Sequence, residues 1–114
     1  IKDAGVLLTR VTYRERRKEV EFIGLDAGFN LAMEPAFYGL PCEPVPAVPR
    51  SAPEGRFTVV GNVNEALDKW AVDHAMPAPE EEDVIVLLNA GGYAASMRSD
   101  HCLRGAARTV LLLE

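Results

Sequence analysis

Apolar and polar residues alternate in short runs along most of the chain, with turn-forming residues between the runs. Gly5 to Tyr13 (GVLLTRVTY) is rich in Val, Leu, Thr and Tyr and lacks proline, which predicts a strand. Leu7, Val11 and Tyr13 share one face, although Leu8 interrupts strict alternation. Glu19 to Leu25 (EVEFIGL) alternates charge with Val20 and Phe22, the pattern of a strand with one wet face. Between them lies Arg14-Glu15-Arg16-Arg17-Lys18, so the pair reads as a hairpin with a charged, solvated tip.

Asp26-Ala27-Gly28 ends the second strand, and Asn30 to Met33 predicts a single helical turn before Pro35. Pro41, Pro44, Pro46, Pro49 and Pro53 then crowd a short stretch. Proline offers no N–H to a ladder, so this region is expected to be a loop or an edge strand. Arg56 to Val60 (RFTVV) reads as a strand closed by Gly61. Asn64 to Ala75 is ambiguous: Asn64 stands as a cap, and Leu67, Trp70, Ala71 and His74 fall at helical spacing. After Pro77, Pro79 and the acidic turn Glu80–Asp83, Val84 to Leu88 (VIVLL) reads as a buried strand. Gly91-Gly92 breaks it, Tyr93 to Met97 resumes it, and Thr109 to Leu113 (TVLLL) is predicted as the last strand. Strands set apart by turn signals imply a mainly β chain, a small barrel or sandwich forming one domain over residues 1–114.

Composition narrows the function classes. The 114 residues suffice for one core, 48% being apolar and 25% charged. A net charge of -5 disfavours general affinity for nucleic acid or anionic lipid. Cys42 and Cys102 lack metal-ligand spacing, and with only His74 and His101 beside them no zinc site is expected. Neither a secretory leader nor a membrane-length apolar run is visible, so a cytoplasmic protein with reduced thiols is expected. Because Ile1 leads straight into a strand, the chain reads as a fragment.

No self-contained catalytic constellation stands out. Asn89-Ala90-Gly91-Gly92-Tyr93 carries two glycines that let a backbone approach a phosphate, a pattern that is equally an ordinary turn.

Four segments, in order and at matching separations, carry a resemblance. Ala4-Gly5-Val6-Leu7-Leu8-Thr9-Arg10-Val11 is similar to the strand leaving the cofactor barrel in the diaminopimelate and ornithine decarboxylase family. Asp26-Ala27-Gly28-Phe29-Asn30, continued to Pro35-Ala36-Phe37-Tyr38-Gly39, resembles the pattern D-A-G-M-N-x-x-x-R-P-A-L-Y-G. Val59-Val60-Gly61-Asn62-Val63-Asn64-Glu65-Ala66-Leu67-Asp68 resembles V-V-G-P-x-C-E-S-x-D. Asn89-Ala90-Gly91-Gly92-Tyr93-Ala94-Ala95-Ser96-Met97 resembles D-A-G-A-Y-x-x-S-M, with Arg104 where the family has a closing Arg-Pro.

The resemblance implies a C-terminal, Greek-key-like β-barrel domain of a two-domain decarboxylase dependent on pyridoxal 5'-phosphate. The N-terminal α/β barrel, with its Schiff-base lysine, is absent from this chain. It also implies a homodimer with active sites shared between subunits, a small-molecule or carrier-tethered amino-acid substrate, and an inactive fragment when isolated. The predicted helix at 64–75 gives way to a turn and extended chain. By the same resemblance Tyr93, with Gly92, lies against the cofactor near its phosphate, Glu65 enters the partner subunit's site, and Tyr38 faces substrate. Asp68 belongs to the same loop, where it either braces or caps the turn or takes a direct role in the site.

Two departures matter more than these matches. Asn64 stands where the family has a cysteine implicated in returning a proton to the substrate carbon, and an amide has no accessible ionisation. Water or His101 then remain as donors, or protonation loses stereochemical control, or the reaction has changed; Cys102 reads as a buried structural thiol. Glu34 stands where diaminopimelate decarboxylases have an arginine that meets a substrate carboxylate. An anion there disfavours a second carboxylate, unless Glu34 turns out to solvent. The expectation is a lyase acting on a basic or carrier-tethered amino acid in specialised metabolism rather than on meso-diaminopimelate. The alternatives are a non-catalytic dimerisation or binding relative of the same fold and, more remotely, a racemase.

Overall fold

One long strand organises the sheet. In the computed structural model, which describes residues 1–114, β1 (Leu7–Arg17) pairs antiparallel with two partners in succession. Its first half, Leu7 to Arg10, pairs with β6 (Val84–Leu87); its second half, from Val11, pairs with β2 (Val20–Leu25). The ladder with β2 shifts register between Val11 and Tyr13, and such an irregularity bends a strand and raises its twist. β2 then pairs parallel with β4 (Glu54–Val60), which pairs antiparallel with β5 (Lys69–Pro77). β3 (Pro44–Pro46) lies antiparallel outside β6, giving the order β3-β6-β1-β2-β4-β5.

The two edges of this sheet come together. His74 of β5 places its Nε2 2.8 Å from the carbonyl oxygen of Pro44 in β3, so a side chain closes the ring where no backbone ladder does. The result is the mainly β, nearly closed barrel that the alternating pattern implied. Its interior is filled by Val11, Ile23, Leu25, Phe57, Val59, Ile85 and Leu87, all fully or almost fully buried. Each such side chain contributes about 1.5–3 kcal/mol by leaving water. Trp70 also packs inward, and its indole N–H donates to Ala27 O at 2.9 Å.

Several expectations are corrected. The charged tip is narrower than predicted: β1 runs on through Arg17, and only the turn at Lys18 separates it from β2, with Arg14 and Arg16 both paired to Glu21. The helix that local spacing suggested over 64–75 does not form, and the turn and extended chain that the resemblance implied do: Asn62–Leu67 is a turn, and β5 follows. The prolines at 44 and 46 belong to an edge strand, one of the two forms expected for the proline-rich stretch, and the segments on both sides of it join one sheet. The helical turn begins later than expected, as α1 (Glu34–Tyr38), with Pro35 in its first turn and Gly39 ending it in the left-handed conformation at φ +64°. Tyr93–Met97 is a series of turns, and Thr109–Leu113 forms no strand. The last segment pairs with none of the six strands, and Leu111, Leu112 and Leu113 are exposed.

Candidate functional site

Two neighbourhoods hold the residues singled out above. The first is built around Asp68, which is buried at the end of the turn between β4 and β5. Its Oδ1 accepts the N–H of Phe29 at 2.8 Å, and its Oδ2 accepts the N–H of Val63 at 2.7 Å. One carboxylate thereby ties the Asp26–Asn30 loop to the turn that carries Asn64 and Glu65. Glycines make room for it: a Cβ on Gly61 would press into the Asp68 carboxylate, and one on Gly28 would sit 2.5 Å from Val63 Cγ2. Burial pushes the Asp68 carboxyl above its ordinary range, opposed by the two N–H donors and by the nearby His101. Asn62 adds a second tie, its Nδ2 donating to Asp26 O at 3.0 Å.

On this brace stand Asn64 and Glu65, both exposed. Glu65 Oε1 lies 3.2 Å from His101 Nε2, and the His101 ring packs at 4.9 Å, centroid to centroid, on Phe29. Phe29 in turn meets Phe37 of α1 at 5.9 Å. Ser99 N–H donates to Asn30 O at 2.9 Å, which holds the segment bearing His101 against the same loop. Sequence reasoning named Asn64, Glu65, Asp68 and His101 but did not join Glu65 to His101, gave Phe29 no role and missed Ser99. Nothing local signals a pairing across 36 residues.

The second neighbourhood surrounds Lys2. Its Nζ donates to Pro41 O at 3.1 Å, just beyond α1, and the Gly91 N–H donates to Lys2 O at 2.9 Å. Gly91 is required by packing: a Cβ there would lie 2.6 Å from Ile1 O. Gly92 differs, with φ +63° and nothing nearer than 3.9 Å to the place of a Cβ. Tyr93, next along, is 70% exposed and its hydroxyl has no internal partner, which rules out a buried, satisfied tyrosine. A free phenol beside an open glycine suits a polar group that approaches from outside the chain. Tyr38 is likewise exposed at the end of α1.

Glu34 is the unexpected member. It is only 4% exposed, so it does not turn out to solvent, and its Oε2 is buried without a hydrogen-bond donor. Its charge reaches Cys42, whose thiol is pushed up chiefly by burial, with Lys2 opposing and Glu34 reinforcing the shift. Cys102 is exposed, which corrects the expectation of a buried structural thiol. Lys2 carried no motif and was missed.

The wider comparisons agree with this architecture. A sequence model described as the pyridoxal-dependent decarboxylase, C-terminal sheet domain, matches residues 1–91. A diaminopimelate decarboxylase of Methanothermobacter thermautotrophicus is 40% identical over 116 residues, covering 100% of this chain and 27% of that protein. One from Pseudomonas aeruginosa is 35% identical over 112 residues, covering 98% of the chain and 27% of its own length. Among solved structures, diaminopimelate decarboxylase from Helicobacter pylori complexed with L-lysine superposes with a TM-score of 0.83 at 29% identity. That match covers 91% of this chain and 25% of the other. The chain thus spans about a quarter of the length of the relatives it matches, and it belongs to the pyridoxal-dependent decarboxylase family as that family's C-terminal sheet domain.

Proposed function

We propose that the full-length protein is a carboxy-lyase dependent on pyridoxal 5'-phosphate, acting on an amino acid whose far end carries an amine or a tether rather than a carboxylate. Glu34 carries the substrate part of this reading. It holds a buried carboxylate with one oxygen lacking a donor, at the position where diaminopimelate decarboxylases carry an arginine. An unpaired buried carboxylate oxygen favours a cationic or hydrogen-bond-donating partner and opposes a second carboxylate.

The cofactor supplies the electron sink for loss of carbon dioxide. Its Schiff-base lysine belongs to an N-terminal barrel outside this chain, and this chain alone is inactive. Gly92 and Tyr93 would form one side of the phosphate cradle, because the glycine is open and the phenol hydroxyl is free. Asn64 and Glu65 lie in the other neighbourhood, on a braced and exposed turn, and this separation suits a dimer in which the turn serves the partner's site. Glu65 would hold substrate there, and Tyr38 would line the substrate side of its own.

Glu34→Arg and Glu34→Gln in the full-length enzyme test the substrate assignment. Each is expected to shift the kcat/KM ratio between meso-diaminopimelate and L-lysine or L-ornithine toward the dicarboxylate, on the order of 10-fold or more. An unchanged ratio in both variants removes Glu34 from substrate selection. Asn64, which has no proton to give, favours a second reading: a relative that retains the fold as a dimerisation or binding module. Failure of the full-length protein to hold the cofactor would support that one.

A further inference from the structure

Decarboxylation leaves an electron pair on a carbon that must then receive a proton, so the exposed end of the braced turn needs an acid. Asn64 has none to give. Of the two histidines, His74 is committed to the closure of the barrel, 2.8 Å from Pro44 O. Cys102, next to His101 in the chain, is exposed and makes no hydrogen bond to Glu65 or to any other side chain. His101 remains. Its Nε2 is 3.2 Å from Glu65 Oε1, its ring is fixed on Phe29, and its segment is tied to Asn30 through Ser99.

We propose that His101 and Glu65 act as one proton-donating unit for the carbon that loses its carboxyl group. This rests on the decarboxylase reading above and deepens it. The carbon–carboxylate bond breaks, carbon dioxide leaves, and the bonding pair stays on the substrate carbon. A proton then passes from the imidazolium Nε2, by way of the Glu65 oxygen, to that carbon, and a C–H bond forms. The imidazole is left neutral, the Glu65 carboxylate is unchanged overall, and solvent returns a proton to the ring. Imidazole suits this work because it gives and regains a proton near neutral pH. Glu65 and Asp68 are the ionisable side chains that face the ring from the 61–68 segment, while the 26–30 loop presents Phe29. Asp68 is fully engaged by two backbone donors and serves as the positioning residue of the pair.

The experiment uses the full-length holoenzyme with L-lysine and L-ornithine in deuterium oxide, comparing wild type with His101→Gln and Glu65→Gln. Wild type is expected to place one deuterium on the product carbon in a single configuration. His101→Gln is expected to hold the cofactor with unchanged absorbance, lose about 100-fold in kcat, and give both configurations. A second readout does not depend on turnover: carbethoxylation of His101 by diethyl pyrocarbonate, followed by mass spectrometry. Cadaverine or putrescine, the products of those substrates, should protect His101 when added to the holoenzyme. If wild type releases carbon dioxide but His101→Gln keeps one configuration and near-normal kcat, or His101 is never protected, the proposal is overturned while the decarboxylase reading stands. If wild type holds the cofactor, releases carbon dioxide from none of L-lysine, L-ornithine, L-arginine and a carrier-linked amino acid, and the amines give no protection, both fall together.

Discussion

Asp68 shows how much one buried side chain can decide. Its two oxygens take one N–H each from different loops, so Asp68→Ala leaves two buried donors without acceptors. The expected loss is about 3 kcal/mol, read as a lowered urea midpoint with Trp70 fluorescence as the probe. The pH dependence has a definite sign. Burial raises the carboxyl in the folded chain, so the folded state binds its proton more tightly than the unfolded state does. The associated stability is fully present below the unfolded value of about 3.9 and is lost as pH rises through the raised folded value. Asp68→Asn removes this dependence, so the stability difference between wild type and variant should narrow as pH rises across that window. The sequence left Asp68 as either a brace for a turn or a direct participant, and the structure shows it bracing the turn. It left the exposure of Glu34 open and misjudged that of Cys102, because exposure depends on which distant segments cover a residue, and no local pattern encodes that.

At the scale of elements, the turn between β4 and β5 depends on space as much as on bonds. Gly61→Ala drives a methyl group into the Asp68 carboxylate and is expected to destabilise the chain by about 1–3 kcal/mol. In the full-length enzyme the same change should lower kcat, because Glu65 and His101 both take their positions from this turn. β1, β2, β4 and β6 were legible as short apolar or alternating runs, since each keeps one face in the core. β5 was not, because Leu67, Trp70, Ala71 and His74 satisfy helical spacing as well. The choice is made by tertiary pairing: Trp70 and Met76 are buried facing the core, and the β4 ladder supplies the backbone partners. Thr109–Leu113 has the composition of a strand but pairs with none of the six strands and forms none. The candidate site was legible only in part, as separate motifs; the Glu65–His101 pair and Lys2 emerge from the closed sheet alone.

For the whole molecule, closure of the barrel rests at one place on His74, and His74→Phe is expected to cost about 1 kcal/mol through the lost bond to Pro44 O. Deleting residues 109–114, by contrast, should leave the urea midpoint within about 0.5 kcal/mol of the parent. It should also reduce self-association, because the deletion removes the exposed Leu111–Leu113 run. The measurement that reaches furthest is carbon dioxide release by the full-length protein loaded with pyridoxal 5'-phosphate. The substrates are L-lysine, L-ornithine, L-arginine, a carrier-linked amino acid and meso-diaminopimelate, each labelled in the carboxyl carbon. Release from an amine-ended or tethered substrate, with meso-diaminopimelate inert, is the expected result. Rapid turnover of meso-diaminopimelate would contradict the substrate assignment built on Glu34, and silence across the whole set would contradict the carboxy-lyase itself.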